Sequence, residues 1–119
     1  MTEIKRKPYN LEERTLDFSK EIINFCKKLP KDIFNNKLID QLVAASTSVG
    51  ANYREANEAL SKKDFIHRMR ITRKECKETS YWLELLKEGN PIVQKDIEIL
   101  FKESQELRNI FTSIIEKMK

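Results

Sequence analysis

Turn formers are scarce in this chain. Two glycines and three prolines are spread over 119 residues, which excludes collagen-like and low-complexity classes. The two cysteines, Cys26 and Cys76, are too few and too far apart for a disulfide framework or a zinc motif. Both fall at helical apolar spacings, where a buried thiol acts as a small hydrophobe. Apolar runs are short, as in Leu42-Val43-Ala44-Ala45, so no segment is expected to span a bilayer and no membrane partner is expected. The start, Met1-Thr2-Glu3-Ile4-Lys5-Arg6-Lys7-Pro8, is basic but has no apolar stretch behind it. No secretory signal is read there, and the expected compartment is the cytoplasm.

Site chemistry is equally sparse. His67 is the only histidine. There is no glycine-rich phosphate loop, no nucleophile elbow and no Cys/His pair at useful spacing. Asp64-x-x-His67 resembles half of a carboxylate-bridged di-iron motif, but the second carboxylate–histidine half needs a histidine the chain lacks. The expectation is therefore no catalytic residue, no metal and no cofactor, in a protein that is not an enzyme.

What is present is helical period. The length suits one domain, and the chain is 39% apolar and 35% charged. Leu11, Thr15, Phe18, Ile22, Phe25 and Leu29 step by four and three along one helix face. Asn10 is the expected N-cap, with Glu12 and Glu13 in the first turn and Pro30 as the stop. A second stripe, starting after Asn35-Asn36, runs Leu38, Leu42, Ala45, Val49, Asn52, Ala56, Leu60. Gly50 lies inside it among Ala44, Ala45, Ser46, Ser48 and Ala51, which suggests close approach of a neighbouring helix. Ser61 through Asp64 resembles a capping box and opens a third stripe of Phe65, Met69, Thr72, Cys76, Thr79, Leu83 and Leu86, with Gly89 as the expected C′ residue. The fourth stripe is Val93, Ile97, Leu100, Ser104, Leu107, Phe111, Ile114 and Met118. Four such helices with short loops predict an all-α, antiparallel up-down-up-down four-helix bundle. It is read as a single domain over residues 1–119, with residues 1–9 as a flexible N-terminal tail.

Helices three and four carry a second apolar stripe each. Ile71, Trp82 and Leu85 alternate with Glu75 and Glu78; Ile92, Ile99 and Ile110 alternate with Glu103 and Glu106. One wide stripe per helix suffices for a lone bundle, so these six residues are candidates for an oligomer interface. A different use of the same surface is a protein-interaction scaffold or accessory subunit with no direct nucleic-acid contact. Ser48, Asn52 and Glu55 lie together on a flank of helix two and read as a structural polar cluster, able to pair with a cation of helix one or three.

Charge is concentrated. Between Lys62 and Lys77 seven cations face two carboxylates, leaving +5, whereas the whole chain is only +4. Lys63, His67, Arg70, Lys74 and Lys77 step by four and three, forming one stripe roughly opposite the helix-three core face. With Lys62 and Arg73 they are the candidate nucleic-acid-binding residues, because such a stripe can neutralise successive phosphates of RNA or DNA without reading bases.

The segment Gln41-Leu42, then Ser46-Thr47-Ser48-Val49-Gly50-Ala51-Asn52-Tyr53-Arg54-Glu55-Ala56-Asn57-Glu58-Ala59, resembles the central signature of a bacterial four-helix-bundle family. Its first members are encoded by intervening sequences in large-subunit ribosomal RNA genes. Ser61-Lys62-Lys63-Asp64-Phe65 and Arg73 to Leu83 are similar too, so the resemblance covers roughly Leu11 to Leu86. It implies a protomer that assembles as a homopentamer. A related member, the accessory variability protein of diversity-generating retroelements, is similar in fold and binds nucleic acid and a reverse transcriptase through a basic surface. Here Val43-Ala44 replaces a frequent arginine pair and Gly50 stands where proline is often seen. A basic surface in this chain must therefore come from helix three.

Overall fold

The computed structural model describes residues 10–119; the expected tail, residues 1–9, lies outside the described residues. The chain forms α1 (Leu11–Lys27), α2 (Ile33–Asn57), α3 (Lys62–Gly89) and α4 (Gln94–Met118), with one 3-10 turn at Pro91–Val93. It is the expected all-α four-helix bundle.

Three of the helix starts are fixed by short polar side chains. The Asn10 carboxamide oxygen accepts from the Glu13 N–H at 3.0 Å, Asp32 from Asn35 at 2.8 Å, and Ser61 from Asp64 at 3.0 Å. Each occupies an amide that has no intrahelical partner. The Asp32 cap corrects one expectation: α2 begins at Ile33 rather than after Asn35-Asn36. Gly89 is another correction. It is the last residue of α3, its φ is not positive, and Asn90 takes the cap position.

Cross-helix contacts give the antiparallel register. Gly50 of α2 meets α1 where Thr15 would lie 3.1 Å from an added Cβ, as the small-residue run around it predicts. One turn further, the Ser19 hydroxyl donates to the Ser46 carbonyl at 3.2 Å. Between α3 and α4, the Cys76 thiol donates to the Ser104 carbonyl at 3.0 Å, and the Ser80 and Ser104 hydroxyls lie 2.6 Å apart. At one end of the bundle Asn35 and Asn90, both buried, exchange reciprocal amide hydrogen bonds of 3.0 and 2.9 Å. That pair ties the start of α2 to the turn before α4.

The core is the four expected stripes with two changes. Phe18, Ile22, Leu42, Val49, Met69, Leu83, Leu86, Leu107 and Phe111 are fully buried. Leu60 is not part of it: the helix ends at Asn57 and Leu60 is 99% exposed. On α4 it is Ile115, not Ile114, that is fully buried, and Ile114 packs beside the core.

The α1–α4 seam is the thinnest of the neighbouring helix contacts, and a buried ion pair crosses it. Arg14 donates from Nε and Nη2 to the two Glu103 oxygens, both at 2.8 Å, and from Nη2 to Glu106 at 3.1 Å. Arg14 and Glu103 are both buried, while Glu106 is half exposed. The bond to Glu103 holds the Arg14 guanidinium above its ordinary pKa, although burial opposes it. A buried charge stripped of its partner is costly. Arg14→Ala is therefore expected to lower the unfolding free energy in urea by about 3–5 kcal/mol, and Glu103→Ala by less because Glu106 stays beside the arginine. Arg14→Met combined with Glu103→Leu should recover most or all of the loss.

Both thiols are buried. Burial pushes Cys26 up to about 11 and Cys76 up to about 12, the latter despite the opposing pull of Arg108. The reactive thiolate is thus scarce at neutral pH. Neither cysteine should react with an aromatic disulfide reagent in the native protein, and both should react at once in denaturant.

Candidate nucleic-acid interface

At about 100° per residue, α3 divides into faces. Met69, Thr72, Cys76, Thr79, Leu83 and Leu86 are buried on one side. Lys63, His67, Arg70, Lys74 and Lys77 are exposed on the other. From Lys63 to Lys77 the stripe runs about 21 Å along the helix. Lys62 is also exposed. Arg73 is half-buried and turns toward α4, its guanidinium 3.5 Å from the Thr112 hydroxyl. Arg68, off the stripe, lies 3.6 Å from Asp64 in an i, i+4 pair.

Four of the seven candidates come together in one concave site. Lys62, Lys63, His67 and Arg70 line a groove of about 620 Å³ between the start of α3 and the end of α4, with Ile66, Met118 and Lys119 completing it. Lys74 and Lys77 continue the cationic surface away from its mouth. The α4 contribution was not readable from local spacing, because it depends on the α3–α4 register. Lys119 also reaches Glu116 at 3.1 Å.

The second stripes divide in two. Trp82 and Ile110 are half-buried and pack against the core, so they widen it. Ile71 is half-buried. Leu85, Ile99 and Ile92 are exposed, the last at 98%. Tyr81 stands edge-on to Trp82 with ring centroids 5.1 Å apart. Ile33 and Phe34 are also exposed, beside the buried Asn35.

The Ser48–Asn52–Glu55 group satisfies itself locally. Ser48 donates to the Ala44 carbonyl at 2.7 Å and Asn52 to the Ser48 carbonyl at 2.9 Å, and Glu55 is exposed. The buried inter-helix ion pair lies elsewhere, at Arg14 and Glu103. Its signal in the sequence was position: Arg14 stands four residues before Phe18, and Glu103 stands between Leu100 and Leu107, both on core-facing flanks.

The match to the family model for the 23S rRNA-intervening sequence protein extends over residues 9–113. The chain belongs to that family. A crystal structure of a protein of unknown function from the S23 ribosomal protein family of Bacteroides thetaiotaomicron is similar, with a TM-score of 0.79 and 34% identity. The similarity covers 88% of this chain and 97% of that one. No curated protein matches this intervening-sequence family member.

One carboxylate on α3 titrates abnormally. Glu75, half-buried beside Glu78, has its carboxyl raised above 4.5, chiefly by burial and then by the hydrogen bond and repulsion from Glu78, with Lys74 opposing. The native state therefore binds this proton more tightly than the unfolded chain does. Its contribution to stability grows as pH falls toward 4.5 and is lost as pH rises through the raised value. Carboxyl-carbon NMR titration should show Glu75 protonating above the exposed glutamates, and Glu78→Gln should move it partway back.

Proposed function

We propose that this protein is a non-enzymatic, self-associating helical bundle that binds RNA through the outer face of α3. The observation that carries this reading is the continuity of exposed cations from the groove at Lys62, Lys63, His67 and Arg70 to Lys74 and Lys77. Positive charge spread along a straight helix face matches a row of phosphates and asks nothing of base identity. Self-association is supported by the exposed Leu85, Ile92 and Ile99, large apolar side chains that contact between copies would remove from water. The family resemblance supports a homopentamer. In a closed ring each copy would present its own cationic stripe, and the fields of several copies add.

Filter binding of single-stranded RNA is the direct test. Affinity should fall with salt, with a log–log slope of about −2 to −4 for three to five neutralised phosphates. Arg70, Lys74 and Lys77 are exposed, so their joint replacement by Glu should leave the fold and helicity intact. It should also weaken binding at low salt by at least about tenfold. No RNA binding at low salt would move the reading to a protein-interaction scaffold, and binding that survives the triple substitution would remove the α3 face as its site. Light scattering checks the assembly: a stable closed oligomer is expected at micromolar protein.

A further inference from the structure

The groove at the start of α3 has features that a plain electrostatic stripe does not need. Its floor is apolar, formed by Ile66, which packs on the core, and by the half-buried Met118. Its rim is cationic, from Lys62, Lys63, Arg70 and Lys119, with His67 between them. Its volume of about 620 Å³ falls within the range of roughly 300–1,000 Å³ in which small-molecule sites occur. Charge placement also runs against helix electrostatics. Lys62 and Lys63 occupy the first turn of α3, where the helix dipole disfavours cations and favours an anion. The one acid of that turn, Asp64, is directed to Arg68. The groove also meets the C-terminal end of α4, whose dipole favours cations, so its attraction for an anion rests on the side-chain charges of Lys62, Lys63, Arg70 and Lys119.

We infer that the groove seats the end of an RNA strand that carries a phosphomonoester. The inference rests on the RNA-binding reading and gives it a fixed starting point. The terminal phosphate lies among Lys62, Lys63 and Arg70, and the terminal base covers Ile66 and Met118. The strand then leaves along Lys74 and Lys77. A phosphomonoester carries about −1.5 to −2 charge and three acceptor oxygens, against a single charge on an internal diester. Lys62, Lys63, Arg70 and Lys119 share the lining of one groove and so meet the extra charge of the end, whereas Lys74 and Lys77 lie beyond it. The polarisable thioether of Met118 suits the face of a flat aromatic base.

The test uses the full chain and fluorescence anisotropy with short RNAs of one sequence, bearing a 5′-phosphate, a 3′-phosphate or neither. At least one phosphorylated form should bind about fivefold or more tighter than the unphosphorylated form. Lys63→Gln with Arg70→Gln should erase that ratio. Lys74→Gln with Lys77→Gln should weaken all three RNAs alike and preserve it. Equal affinities of all three, with salt dependence intact, overturn the groove assignment and leave the α3 face standing. No binding of any RNA at low salt overturns both. Uridine monophosphate competing as strongly as the phosphorylated RNA overturns the strand-end assignment in favour of a free nucleotide.

Discussion

The bidentate contact between Arg14 and Glu103 is the constraint that closes the bundle. Three of the four neighbouring helix pairs are joined by a short connection, which keeps them together in any collapsed state. The α1–α4 pair has no such tether and shares the least surface. Apolar contact alone could tolerate sliding or opening there, since hydrophobic burial is non-directional. A planar guanidinium against a carboxylate is directional, with two parallel bonds of 2.8 Å, and it tolerates neither rotation nor a change of register. Burying both charges carries a desolvation cost that well-packed apolar residues would avoid. Its return is a unique position for α1, and through Thr15 and Gly50 a unique position for α1 against α2.

With the ring closed, α3 has little freedom in what it shows. It packs against both α2 and α4, so roughly half its circumference is committed to the core and its flanks. The cations can stand only on the remaining arc. Small polar groups keep the α3–α4 side tight: the Cys76 thiol and the Ser80 hydroxyl both meet Ser104. This close contact fixes the α3–α4 register, in which Met118 of α4 and the following Lys119 complete the groove lined by Lys62, Lys63 and Arg70 of α3. The concave site is thus a product of helix register.

That distinction explains which features could be read from the chain. Periodicity reports a helix face, so the core stripes from Phe18 through Phe111 and the exposed row from Lys63 to Lys77 were legible. Gly50 was legible because a glycine among small residues has a steric meaning wherever a helix passes close by. Leu60 was misplaced because a period extends on paper past the residue where the helix stops. Ile114 and Ile115 were exchanged because a one-residue drift accumulates along seven turns of α4, the stepping rule being only approximate. Arg14 and Glu103 were missed for a different reason. Each looks like an ordinary flank charge, and only the pairing, 89 residues apart in sequence, gives it a burial. Polar partners that meet across a seam leave only their positions on core-facing flanks as a mark, and nothing local that names the partner. The same holds for Asn35 and Asn90.

The distribution of charge along α3 separates function from stability. A helix optimised for stability places acids in its first turns and bases in its last, following the dipole. Here the first half of α3 is cationic, whereas Glu84 and Glu88 outnumber Lys87 in its last two turns. The order is reversed, and each reversed charge near a terminus costs a few tenths of a kcal/mol to about 1 kcal/mol at low salt. The core, with Met69, Cys76, Leu83 and Leu86 fully buried, is large enough to absorb that loss. Local choices that oppose stability in an otherwise consistent helix are where a protein keeps its working surface. Lys62 and Lys63, the reversed charges of the first turn, are also residues of the groove.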